Sequence, residues 1–171
     1  MWIMEERNGI VTFAGNPVTL LGPEIKVGDK APDFTVVDNS LKPVSLSDFD
    51  GVKLISVVPS LDTPVCDAQT RRFNEEAANL NATVLTISVD LPFAQKRWCG
   101  AAGIDRVITL SDYQSMSFGK AYGTYIKDLR LEARAIFVLN SENEVIYVEY
   151  VKEVTDHPNY EKAIQAVKEA K

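Results

Sequence analysis

The chain has 171 residues, of which 46% are hydrophobic and 25% are charged, a composition that excludes a disordered chain or a coiled coil. This length predicts one domain over residues 1–171 with a sizeable core. The formal net charge is −6 without a basic stripe, so we expect no nucleic-acid partner. No apolar run is long enough to span a bilayer, and residues 1–6 lack the pattern of a signal peptide. We therefore expect a cytoplasmic protein with no membrane partner.

A β-hairpin is predicted at the start of the chain. Two runs of β-forming residues, 10–13 and 18–21, flank the turn signal Ala14-Gly15-Asn16-Pro17. A connector rich in glycine and proline then continues to residue 32. The hairpin therefore precedes the main body of the fold.

Strands and helices alternate along the rest of the chain. The predicted strands cover residues 34–37, 53–58, 83–89, 107–110, 135–139 and 145–150, and the predicted helices cover residues 64–80, 92–102, 116–122 and 160–170. This order predicts an α/β fold in which helices flank a central mixed β-sheet. The nearly continuous apolar runs at 54–58 and 83–89 are typical of buried central strands.

Cys66 lies where a thiol can become reactive. Thr63 is a favourable N-cap and Pro64 a favourable first helical residue, which places Cys66 in the first turn of a helix. The positive end of the helix dipole favours a thiolate there, and free backbone N–H groups can bind an anion. Asp62 and Asp67 oppose the thiolate, so a cation is required that the local sequence does not supply. The alternative is a buried and inert cysteine.

Cys99 lies near the end of the predicted 92–102 helix, just before Gly100 and Gly103. The negative end of the dipole disfavours a thiolate there, so Cys66 is the better nucleophile and Cys99 the second thiol. A disulfide needs Cα atoms about 4.4–6.8 Å apart, whereas packed helix axes lie about 8–10 Å apart. A bond between the two cysteines would therefore require local unfolding, which the two glycines favour.

The sequence around both cysteines resembles one family. The pattern Pro59-x-x-x-Thr63-x-x-Cys66 is similar to the active-site signature of the peroxiredoxins. Its flanks from Val58 onward resemble the bacterial thiol peroxidase subgroup, whose members are atypical two-cysteine peroxiredoxins. The same subgroup is resembled by the run Asp90-Leu91-Pro92-Phe93-Ala94-Gln95-Lys96-Arg97-Trp98-Cys99-Gly100. The hairpin and the run from Gly28 to Phe34 match as well, so the resemblance covers essentially the whole chain.

This resemblance implies a thioredoxin-like fold with an N-terminal β-hairpin and a thiol-dependent peroxidase that reduces hydrogen peroxide and organic hydroperoxides. It implies that the Cys66 thiolate attacks the peroxide and becomes a sulfenic acid. Cys99 would then form an intrachain Cys66–Cys99 disulfide, which thioredoxin reduces. It also implies a homodimer with contacts near the active-site loops. We expect neither a cofactor nor a metal, because two cysteines and one histidine cannot complete a closed zinc site.

The resemblance also supplies the missing cation. It implies that Arg134, in Glu132-Ala133-Arg134-Ala135, stabilises the Cys66 thiolate and the peroxide oxygens. By residue type alone, Arg134 would be an exposed arginine at the start of a strand. The resemblance further implies that Thr63 hydrogen-bonds the thiolate and the substrate, and that Pro59 shapes the loop and excludes water.

Other functions are weighed against this one. A thiol–disulfide oxidoreductase is disfavoured because the chain has no Cys-x-x-Cys. A Cys–His hydrolase would depend on His157, the single histidine, which we interpret as a surface turn residue. Phe93 and Trp98 are expected to pack in a core or a dimer contact. A non-catalytic module that senses redox state through its cysteines remains the alternative.

Overall fold

The computed structural model describes residues 4–170; residues 1–3, which form part of the segment predicted not to be a signal peptide, lie outside the described residues. The strands are β1 (Glu6–Phe13), β2 (Asn16–Leu21), β3 (Thr35–Val37), β4 (Pro43–Ser45), β5 (Lys53–Val57), β6 (Thr83–Ser88), β7 (Ile108–Ser111), β8 (Tyr125–Ile126), β9 (Leu131–Glu132), β10 (Ala135–Leu139) and β11 (Val145–Tyr150). The helices are α1 (Pro64–Ala77), α2 (Pro92–Ala102), α3 (Ser117–Tyr122) and α4 (Tyr160–Glu169), with a 3-10 turn at Leu46–Asp48.

Seven strands form the central sheet, in the order β11-β10-β5-β6-β7-β3-β4. Strands β5, β6 and β7 are parallel, whereas β10 and β3 run antiparallel to their neighbours. One face carries an aromatic cluster that includes Phe34, Phe118 and Phe137, and the other packs under α1 and α4 through residues such as Phe73 and Ile164. The predicted α/β fold with a central mixed sheet is therefore confirmed.

A second, smaller sheet contains the N-terminal hairpin, in the order β1-β2-β8-β9. The predicted hairpin is confirmed, but the predicted four-residue turn is too long. Only Ala14 and Gly15 form the turn, both with positive φ (51° and 83°), as a tight hairpin requires. Asn16 and Pro17 belong to β2. The short strands β4, β8 and β9 were not predicted, because two or three residues carry too little periodicity.

All four predicted helices are present. The predicted bounds of α2 are correct, whereas α1 ends at Ala77 rather than at residue 80. Gly123 closes α3 with a φ of 70°, a left-handed conformation that favours glycine. Within residues 4–170, no helix combines the length and apolar character needed to cross a membrane.

The topology brings distant parts of the chain to one edge of the sheet. The carboxyl ends of the parallel strands β5 and β6 meet there, so the loop from Val58 to Thr63 lies beside Asp90. Strand β10 is the antiparallel neighbour of β5 and pairs Ala135 with Val57. Arg134, immediately before β10, is consequently placed next to the loop that leads into α1.

Candidate active site

Cys66 is the third residue of α1, whose N-cap is Thr63. Its side chain is 0% exposed, because the first turn of the helix faces the sheet. Val58 and Leu61 of the preceding loop and the half-buried Trp98 of α2 pack around it. The thiol therefore sits in an apolar pocket with its backbone in the N-terminal turn, where helical N–H groups have no intrahelical carbonyl partner.

Arg134 supplies the cation that the local sequence lacks. Its Nη2 donates to Cys66 Sγ at 3.2 Å, its Nη1 to Gln69 Oε1 at 2.8 Å and its Nε to the Val154 carbonyl at 2.7 Å. The side chain is 1% exposed, so the surface position expected from residue type alone is wrong. Three anchors fix the planar guanidinium with one edge toward the sulfur.

Gln69 is a member of the site that was not predicted. It is fully buried, and its Nε2 donates to Ser56 Oγ of β5 at 2.7 Å, which leaves Oε1 to accept from Arg134. The spacing of three residues from Cys66 places both side chains on one face of α1. A polar residue on that apolar face was the sequence signal that could have identified it.

The Thr63 hydroxyl does not cap the helix. The N-cap position is as predicted, but the hydroxyl donates to the Ser60 carbonyl at 3.0 Å and accepts no helical N–H bond. Its oxygen keeps lone pairs that can accept a further hydrogen bond. Pro59 is buried in the same loop, and Asp90 holds the loop by accepting from Ser60 Oγ and from the Leu61 amide, both at 2.8 Å.

One of the two opposing carboxylates near Cys66 is paired. Asp67 accepts from Arg71 Nε at 2.9 Å across one turn of α1. The Arg71 guanidinium also lies over the Trp98 ring, 5.7 Å from its centroid. The negative charge of Asp67 is thereby offset by the Arg71 guanidinium, which weakens its opposition to a thiolate at Cys66.

Cys99 is half-buried on α2, and its Sγ lies 3.6 Å from Thr109 Oγ1 of β7. Burial raises the pKa of the Cys99 thiol above its ordinary value, and the hydrogen bond with Thr109 offsets part of this effect. Both cysteines are free thiols, and both of their helices are folded. Cys99 is thus held as a protonated thiol at neutral pH.

Helix α2 makes a polar contact with the sheet through Gln95. Its buried residues are Pro92 and Gln95. Gln95 Nε2 donates to Ser88 Oγ and to the Leu110 carbonyl, each at 3.0 Å, while its buried Oε1 has no partner. Phe93 is 65% exposed, so it does not pack in the core of this chain, and the alternative of a dimer contact stays a prediction. Unfolding of α2 would expose two buried side chains, Pro92 and Gln95, and would remove the half-buried Trp98 from Cys66.

The single histidine of the chain does not take part in the site. His157 is exposed, and its Nδ1 lies 2.7 Å from Tyr160 Oη, so it forms no Cys–His pair. Within the described part of the chain, no three His, Cys, Asp or Glu side chains are grouped so that they could hold a metal ion. The arrangement around Cys66 is suited to nucleophilic attack by sulfur beside a fixed guanidinium.

Known proteins are similar to this chain over nearly its whole length. A family model described as Redoxin matches residues 26–164. The thiol peroxidase of Halalkalibacterium halodurans is 67% identical over 162 residues, which cover 94% of this chain and 98% of that protein. The thiol peroxidase of Bacillus subtilis is 66% identical over 160 residues, or 92% of this chain and 96% of that protein. A solved structure of a peroxiredoxin-like protein from Aquifex aeolicus has a TM-score of 0.88 and 42% identity, covering 98% of this chain and 99% of that one.

Proposed function

The chain belongs to the Redoxin family as a thiol peroxidase of the peroxiredoxin type, and from that premise we propose that Cys66 is the residue that reduces the peroxide. The thiolate sulfur attacks one oxygen of hydrogen peroxide or an organic hydroperoxide, and the O–O bond breaks. Cys66 becomes a sulfenic acid, and the leaving oxygen takes a proton from solvent and departs as water or an alcohol.

The contact between Arg134 and Cys66 carries this proposal. A guanidinium 3.2 Å from the sulfur favours the thiolate and can also stabilise the charge that develops on the leaving oxygen. Thr63 is proposed to accept a hydrogen bond from the peroxide through its hydroxyl oxygen, whose own proton is donated to the Ser60 carbonyl. Pro59, buried in the loop, is proposed to shape the pocket and exclude water.

We propose that Cys99 completes the oxidative half of the cycle. Its thiol condenses with the Cys66 sulfenic acid, so that an S–S bond forms and one water molecule leaves. Because each thiol is held by its own folded helix, this step includes unfolding of α2. The few buried side chains of α2 support a low cost for that unfolding.

A dithiol reductant of the thioredoxin type is proposed to return both cysteines to thiols by disulfide exchange. This requirement supports a cytoplasmic location, where such reductants keep thiols reduced. We also propose a homodimer that covers the exposed side chains of Leu91 and Phe93 at the start of α2. The chain is proposed to act as one domain, because the hairpin is hydrogen-bonded to the segment that follows β11.

A rapid-mixing peroxide titration tests these roles, with Trp98 fluorescence as the signal because its ring packs beside Cys66. Wild type should consume peroxide repeatedly with a reducing system, and Cys66→Ser should consume none. Cys99→Ser should give one fast round of sulfenic acid formation and then fail to recycle through the disulfide. Full activity in Cys66→Ser would contradict the assignment. Stoichiometric oxidation without turnover in wild type would favour the redox-sensing module.

A further inference from the structure

Residues 151–155, which follow β11, contact Arg134 through both its backbone and its side chain. The Val151 amide donates to the Arg134 carbonyl at 3.0 Å, and the Val154 carbonyl accepts from Arg134 Nε at 2.7 Å. The Val154 side chain is 1% exposed and packs with Val11 and Val18 of the hairpin. The position of the Val154 carbonyl therefore determines one of the three anchors of the guanidinium.

The N-terminal hairpin holds this segment by backbone hydrogen bonds. The Thr12 amide donates to the Lys152 carbonyl at 2.7 Å, and the Val154 amide donates to the Thr12 carbonyl at 2.8 Å. These two bonds attach the segment at one residue of β1, beside the packing of Val154 against the hairpin. A further attachment to the hairpin comes from the residue between Lys152 and Val154.

Glu153 provides that attachment. Its carboxylate accepts from the Ala14 amide at 3.0 Å and the Gly15 amide at 2.8 Å in the hairpin turn, and from Thr12 Oγ1 at 2.8 Å. It also accepts from the amide and the hydroxyl of Thr155, at 2.9 and 2.7 Å. Three of these five bonds join the hairpin to the residue next to Val154, and the two from Thr155 hold the carboxylate in place.

The Glu153 carboxylate is ionised at neutral pH. The amide and hydroxyl of Thr155, followed by the Gly15 amide, lower the pKa of Glu153 to about 2. A neutral side chain of the same size could not accept all five bonds, since an amide has one acceptor oxygen. The attachment is thus specific to an ionised carboxylate.

We propose that Glu153 is a positioning residue of the peroxidase: it fastens the hairpin turn to residues 151–155 and thereby fixes the Val154 carbonyl that directs Arg134 toward Cys66. This inference rests on the function proposed above. Glu153 contacts neither the sulfur nor the guanidinium, so it acts only through the backbone of the next residue. The hairpin is then part of the machinery that orients the cation, although it lies outside the central sheet.

The first test measures the rate constant for oxidation of Cys66 by hydrogen peroxide in the Cys99→Ser background, where only the first step occurs. Glu153→Gln should lower it by about 10-fold, within the roughly 100-fold that a 1 Å misplacement can cost. Glu142→Gln is the matched control, because this exposed carboxylate lies in the β10–β11 turn, and it should leave the rate unchanged. If Glu153→Gln does not fold, Thr155→Val removes a single bond and should give a smaller loss.

The second test observes the Arg134 Nε–H group directly by nitrogen-15 NMR. In wild type its proton should exchange slowly with solvent, because it is buried and bonded to the Val154 carbonyl. Glu153→Gln should speed that exchange, whereas Glu142→Gln should not. This signal does not depend on activity, so it reports on positioning even if Cys66 proves not to react with peroxide.

A double-mutant cycle separates positioning from general destabilisation. In an Arg134→Lys background, Glu153→Gln should cause no further loss of rate, because the group it positions is gone. An equal additional loss would overturn the proposal, as would unchanged rate and unchanged Nε–H exchange in a folded Glu153→Gln variant. Failure of wild-type Cys66 to react with peroxide would instead refute the proposed function and leave the exchange result to stand alone.

Discussion

The guanidinium of Arg134 lies 3.2 Å from the sulfur of Cys66, although 68 residues separate them in the chain. The contact exists because β10 runs antiparallel beside β5, so the start of one strand adjoins the end of the other. Ser56 of β5 in turn accepts from Gln69 of α1 at 2.7 Å. The sheet register therefore assembles the sulfur, the cation and the amide that orients the cation.

Replacing Arg134 by lysine should lower the rate constant for oxidation of Cys66 by about 100-fold. This is the loss of rate expected when one hydrogen-bond donor to a developing anion is removed. A lysine keeps the charge but cannot bond Cys66, Gln69 and Val154 from one planar group. Stopped-flow Trp98 fluorescence in the Cys99→Ser background measures the rate. Arg106→Lys, at an exposed position, should be neutral, and an Arg134→Lys enzyme as fast as wild type would exclude the proposed role.

Replacing Thr63 by valine should slow the same step by about 10-fold, because a valine cannot hydrogen-bond the peroxide. It also leaves the Ser60 carbonyl without the bond that it accepts at 3.0 Å. Thr63→Ser keeps the hydroxyl and should retain most of the rate. The two variants are compared by pseudo-first-order oxidation at several peroxide concentrations, and equal rates would mean that the hydroxyl is only structural.

Replacing Gln95 by alanine should accelerate disulfide formation. Gln95 makes two of the bonds that attach α2 to the sheet, each worth about 0.5–1.5 kcal/mol, so their loss should favour unfolding of α2 by roughly 10-fold. Disulfide formation after a peroxide pulse is followed by quenching and mass spectrometry, and opening of α2 by amide hydrogen exchange. Lys96→Ala, at an exposed position on the same helix, is the control variant. Slower disulfide formation in Gln95→Ala than in wild type would show that α2 does not unfold in this step.

The reactive helix could be predicted from sequence because its signals are local: an N-cap, a proline and an apolar face all lie within a few residues of Cys66. The partner of the thiol could not, since nothing around Arg134 marks it as buried and only family resemblance assigned it. Gln69 lies one helical turn from Cys66 and was predictable in principle. The Val154 carbonyl was not, because a backbone acceptor has no residue type to identify it. The strands β8 and β9 depend on tertiary pairing with the hairpin rather than on their own short sequences.

Glu132 should make the stability of the protein fall as the pH rises. Burial, followed by the neighbouring Asp112 carboxyl group, holds the pKa of Glu132 well above its ordinary 4.5. Asp112 is itself committed, because it accepts from the Phe118 and Gly119 amides at the start of α3. Thr124 Oγ1 donates a hydrogen bond to Glu132 Oε2. Between about pH 4.5 and its raised folded pKa, Glu132 is therefore a neutral carboxyl group in the folded protein and a carboxylate in the unfolded chain.

With a folded pKa above the unfolded one, the folded state binds the extra proton, and each pH unit above about 4.5 removes up to about 1.4 kcal/mol until the folded pKa is reached. Glu132→Gln keeps the shape and stays neutral, so it should abolish this part of the pH dependence. Urea unfolding of both proteins between pH 5 and 8 measures the difference, which should shift in favour of the variant as the pH rises. Glu142→Gln should track wild type throughout, and a constant difference between wild type and Glu132→Gln would show that Glu132 is ionised in the folded protein.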